Sequence, residues 1–117
     1  MNDLVRRLTR EQQIEASLRP EPSRKALKEA VERGLVHVRF VETRGGTELG
    51  VQVAPAASDL SALESPAGGS IRLVGDLILD YSRVRFHGTI DLDSLKGQGR
   101  LEHLGDVAPG ASLDEVA

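Results

Sequence analysis

Apolar side chains recur along this chain at two different periods. Over residues 3–18, DLVRRLTREQQIEASL, the side chains of Leu4, Val5, Leu8, Ile14 and Leu18 fall within about half of a helix circumference, which predicts a helix. Thr9 and Gln12 hold the spacing of a capping box, so this helix is also readable as starting at Thr9, behind a loose arm. Pro20 and Pro22 break the pattern. Ser23 then suits an N-cap, Ala26, Leu27, Ala30 and Val31 share one face, and Gly34 stands where a C-terminal glycine belongs, so 23–33 reads as a second helix.

From residue 35 the period changes to two. LVHVRFVETRGGTELGVQVAP predicts a hairpin turning at Gly45-Gly46, with Val36, Val38 and Phe40 facing Pro55, Val53 and Val51. A second hairpin follows in 71–92, because the apolar set is odd-numbered before Tyr81 and even-numbered after Ser82. A two-residue turn at Tyr81-Ser82 pairs Ile71 with Leu92, Leu73 with Ile90, Leu77 with Phe86 and Leu79 with Val84, and it sets Gly75 opposite Gly88. The outer face then pairs Arg72 with Asp91, Asp76 with His87, Ile78 with Arg85 and Asp80 with Arg83. The paired glycines mark a bend or the close approach of another element. A short fifth strand is expected near 99–104.

Residues 54–70 are rich in Ala, Ser, Pro and Gly and read as a mobile connection with a helical turn within 58–64; the tail from Gly105 reads as frayed. The expected organisation is a helical arm at 1–22, one domain at 23–104 and a disordered tail at 105–117. The expected fold class is α+β: an N-terminal helix pair followed by an antiparallel meander of two hairpins, four to five strands in all. A small β-barrel or sandwich made from the same hairpins is the alternative.

Composition narrows the functions. The net charge of −3 does not suggest nucleic acid as a partner, and with only Phe40, Tyr81 and Phe86 aromatic there is no platform for stacking single strands. Residues 1–33 carry eight Lys/Arg and six Asp/Glu, whereas the remainder carries seven and twelve, so a basic arm on an acidic body suggests a partner surface. No cysteine is present, which removes disulfides and thiol chemistry. No apolar stretch is long enough to span a membrane and MNDLVRRLTREQQ has no apolar signal core, so a cytoplasmic protein without a membrane partner is expected.

No catalytic set, metal ligand set or cofactor motif stands out, and whether the chain is an enzyme is left open, leaning against. His37, His87 and His103 lie on three different expected strands without ligand spacing. The glycines of KGQGR lack the following helix that a phosphate loop needs, so they serve a turn or bulge. The candidate ligand-binding surface is the polar stripe Asp76, Arg83, Arg85, His87 and Asp91: a carboxylate beside an imidazole can orient it, and an arginine can hold an anion. The candidate partner-binding surface is the stripe Leu4, Val5, Leu8, Ile14 and Leu18. Together these predict a non-catalytic interaction module, a small accessory or assembly subunit that binds a protein partner or itself as a homo-oligomer. A small-molecule or anion-binding domain built on the polar stripe is the alternative, and an acidic immunity protein or antitoxin a further one.

Overall fold

The computed structural model describes residues 3–18, 21–65 and 68–107. It is a closed antiparallel barrel of six strands, each paired with its sequence neighbour, with β6 returning to β1. In chain order these are α1 (Asp3–Leu8), β1 (Gln12–Ser17), α2 (Arg24–Arg33), β2 (Leu35–Phe40), β3 (Thr47–Val53), β4 (Ser70–Leu79), β5 (Ser82–Asp91) and β6 (Lys96–Asp106). The barrel, the alternative in the sequence reading, therefore replaces the α+β meander.

The largest correction lies at the start of the chain. The helix expected over 3–18 stops at Leu8, and the second half of that stretch is a strand. Thr9 does not open a capping box; its hydroxyl donates to the Arg6 carbonyl and closes α1. Gln12, Ile14 and Ala16 are buried while Gln13 is exposed and Glu15 and Ser17 are half-buried, a period of two that a broad helical stripe also accommodates. What decides between them is pairing on both sides. Ile14 lies opposite Phe40 of β2 and Gly97 of β6, so this strand closes the ring.

α2 follows the sequence closely. The Ser23 hydroxyl accepts from the Ala26 amide at 3.1 Å, and Gly34 takes a φ of 84°, its amide donating to Ala30 and Val31 carbonyls. Arg24, in the first turn of α2, ties three connections together at one end of the barrel. Its guanidinium donates to the carbonyls of Ala62, Ser65 and Gly68 and lies 3.8 Å from the Asp93 carboxylate. Arg24→Met keeps the stem and strands those three carbonyls, so a loss of about 1–3 kcal/mol in urea unfolding is expected.

Both hairpins keep the inward faces that the sequence predicts, except that Pro55 lies beyond β3, exposed in a 3-10 turn, and both take other registers. In the first, Val36 pairs with Val51 and Val38 with Leu49, four residues away from the expected pairing. The turn is longer because the Gly46 amide donates to the Thr43 carbonyl, while Thr43 and Thr47 hydroxyls meet at 2.7 Å. In the second, the turn is Asp80-Tyr81, not Tyr81-Ser82: both residues hold positive φ, 48° and 63°, as a primed two-residue turn requires. Shifting by two residues preserves parity, so Leu77 and Phe86 both remain inside. Gly75 consequently faces Phe86 and Gly88 faces Leu73.

β6 is eleven residues long where a short strand near 99–104 was expected. Gly105 and Asp106, expected to begin the tail, pair with Arg83 and Ser82; residues 108–117 lie outside the described residues. The described part of 54–70, expected as a mobile connection, instead forms two 3-10 turns, Pro55–Ala57 and Ser61–Glu64, and docks on β4: Asp59 and Arg72 exchange two main-chain hydrogen bonds of 2.9 Å, and Leu63 is buried; residues 66–67 lie outside the described residues.

The core runs through the barrel, where the Phe40 and Phe86 rings meet edge to face at 6.0 Å and 88°. A Cβ on Gly88 or Gly99 would fall within 3.0 Å of the Phe86 ring, so these two glycines form the floor on which it lies. No described helix is long and apolar enough to cross a membrane.

Candidate functional site

The outer face of β4, β5 and β6 carries the predicted polar stripe, because even residues of β4 and odd residues of β5 point away from the core. The observed register changes who meets whom. Asp76 lies opposite Arg85, not His87, and accepts from its Nε at 2.9 Å and its Nη2 at 3.4 Å. This two-point pairing raises the affinity of Arg85 for its proton, first through the hydrogen bond and then through the charge of Asp76. His87 lies between Val74 and Arg100, and its Nε2 meets Glu102 at 2.9 Å.

Asp91 sits apart from these four side chains. Its carboxylate accepts from the amides of Ser94 and Asp93, both at 2.8 Å, and shapes the turn into β6. Those bonds, Ser94 first, hold its pKa below the ordinary carboxylate value. Arg83 faces Ile78 and Gly105 and enters no ion pair among the described residues. Its Nε is buried without a hydrogen-bond partner.

The face thus brings Asp76, Arg85 and His87 together, with Glu102 added from β6, but each charge is already answered inside the chain. Arg85 is engaged by Asp76 and His87 by Glu102. Among the described residues no group of three or more His, Asp or Glu is arranged to hold a metal ion. A shallow hollow of about 590 Å3 lies elsewhere, over Gln13, Glu15, Lys96 and Gln98 on the β1–β6 side.

The carboxylates on β6 make this face sensitive to acid. Glu102 is held below its ordinary pKa mainly by the hydrogen bond from His87, and Asp106 mainly by that from His103 at 3.2 Å. A depressed folded-state pKa stabilises the protein above the unfolded value, and the contribution is lost as pH falls through the folded one. His87→Ala is therefore expected to move the Glu102 titration up toward the ordinary carboxylate value, read by carboxyl 13C chemical shifts. An unmoved titration would show that the 2.9 Å contact does not persist in solution.

The apolar stripe of the N-terminal segment is not on the surface. Val5, Leu8, Ile14 and Leu18 are buried in the core of their own chain, with Leu4 packed against it. A partner reaches them only if this segment leaves the barrel.

One feature escaped the sequence. The β3–β4 ladder comprises only two residue pairs, Gln52 with Asp76 and Val53 with Gly75. Even residues of β4 aim their main-chain groups away from β5: Arg72 bonds Asp59, and Val74 bonds Ala54 and Ser58. Ile78 continues this series but, like Gly50 on the facing strand, lies outside the β3–β4 ladder; their ladder partners are Arg83 on β5 and His37 on β2. Tyr81 and Leu104, 59% and 41% exposed, stand at the same end of the sheet, Leu104 beside a register shift between β5 and β6. Alternation shows which side chains face out, but not where a ladder ends, so nothing in the sequence marks this seam. No known protein family matches this chain, and no curated protein matches it in sequence.

Proposed function

We propose that this protein is a non-catalytic interaction module, a small accessory or assembly subunit that pairs with a protein partner or with a second copy of itself. The observation that carries the reading is the β3–β4 seam. A strand edge with unanswered N–H and C=O groups is a template for pairing with another chain, and natural sheets otherwise cover or charge such edges. Here the position beyond the end of the β3–β4 ladder is Ile78, flanked by Leu77 and Leu79, with exposed Tyr81 and Leu104 at the same end of the sheet. The polar outer face, by contrast, satisfies itself through Asp76–Arg85 and His87–Glu102.

The test uses Ile78→Pro. Proline removes an N–H that faces away from β5 at a position outside the β3–β4 ladder, and leaves the β4–β5 ladder whole, as at other sheet edges. Light scattering across the micromolar range should give a mass that rises with concentration for the natural chain and stays at one chain for the variant. A natural chain that remains a strict monomer, and that cross-links to no protein in living cells, removes the reading.

A further inference from the structure

From the seam and from Arg83 we infer that the edge of β4 accepts an extended segment of a partner protein, with a single carboxylate on the outer side of that segment answering Arg83. This rests on the interaction reading above and names the chemistry of the partner. Three observations converge. Ile78, whose even-numbered place on β4 turns its N–H and C=O away from β5, lies outside the two residue pairs of the β3–β4 ladder. Arg83, directly across the ladder from Ile78 on the same outer face, carries a positive charge with no ion pair among the described residues. Its Nε is shut off from solvent without an acceptor, a state that buried polar groups rarely keep.

The neighbouring charges define the segment further. Arg85, two residues along the same face, is already neutralised by Asp76, so it does not compete for the incoming carboxylate. Asp80, exposed at the turn, repels a second acid and disfavours an acidic run. Towards the core the seam is bordered by Leu49, Val51 and Leu77, all buried, which calls for small apolar side chains at alternate positions. The fitting partner is thus a strand of alternating apolar and polar residues with one outward glutamate, one strand removed from Arg83 and within reach of its long side chain.

The probe is a blocked hexapeptide, Thr-Val-Glu-Val-Thr-Val, compared with the same peptide bearing Lys in place of Glu and with one N-methylated at alternate amides. Fluorescence anisotropy with the full chain should show the Glu peptide binding about tenfold more tightly than the Lys peptide. Arg83→Gln should erase that difference while retaining weak binding of both, and the N-methylated peptide should not bind. Equal affinity for the Glu and Lys peptides, or a preference that survives Arg83→Gln, overturns the role of Arg83. Equal binding of the N-methylated peptide overturns strand addition. Absence of binding by all three, in a protein that still self-associates, overturns this inference and leaves the interaction reading standing. Folding of Arg83→Gln is checked by the unchanged dispersion of its amide spectrum.

Discussion

Phe86→Ala is expected to lower folding stability by about 3–5 kcal/mol, measured by urea unfolding, and to leave a chain only marginally folded at physiological temperature. The ring is fully buried and meets Phe40 edge to face. It also covers Gly88 and Gly99, the two positions that face each other across β5 and β6 without side chains. Truncation therefore opens a cavity that neither glycine can refill, and a barrel held by ladders on both sides of β5 has little freedom to collapse into it. A loss of less than about 1 kcal/mol would mean that the two-ring contact is not the centre of the core.

Gly75→Ala is the second large effect, and it acts through closure of the barrel. A Cβ at this position would stand 2.3 Å from the Gln52 carbonyl oxygen and 2.4 Å from a methyl of Val51. The methyl can turn away, but the carbonyl belongs to the strand that pairs there. Gln52 and Val53 are also the only two β3 residues in the β3–β4 ladder, so the clash falls on the whole of the pairing that joins β3 to β4. A loss of about 3 kcal/mol, at the upper end of overpacking effects, is expected. Hydrogen exchange should show it first at Ala54, whose amide donates to the Val74 carbonyl at 2.8 Å. If exchange there is unchanged while global stability falls, the strain is relieved elsewhere and β3 does not depend on Gly75 for its seat.

Gly75 and Gly88 are not paired with each other, as the sequence suggested, yet another element does lie close at both, Gln52 at Gly75 and the Phe86 ring at Gly88, for a reason that periodicity contains only in part. An apolar-polar alternation interrupted by glycine says that a side chain is unwelcome. It does not say which backbone excludes it. The same holds for the polar stripe. Parity alone placed Asp76, Arg85 and His87 on one outer face, since a shift by two residues moves partners without moving faces. Their partners were not readable: a carbonyl-to-amide register depends on where the turn forms, and Asp80-Tyr81 and Tyr81-Ser82 serve the parity equally well. Glu102 entered the site because a third strand aligns beside β5, a long-range event with no local trace.

Local chemistry in the sequence determined α2 and its two caps, the inward set of each hairpin apart from Pro55, and the outward polar set, because capping and alternation are settled within a few residues of the chain. Only the tertiary structure decided that residues 12–17 are a strand, that six strands close into a ring, and that β3 and β4 part after two pairs. Those outcomes depend on hydrogen-bond partners tens of residues away. A stretch whose apolar side chains suit either period takes whichever form lets its main chain be paired on both sides.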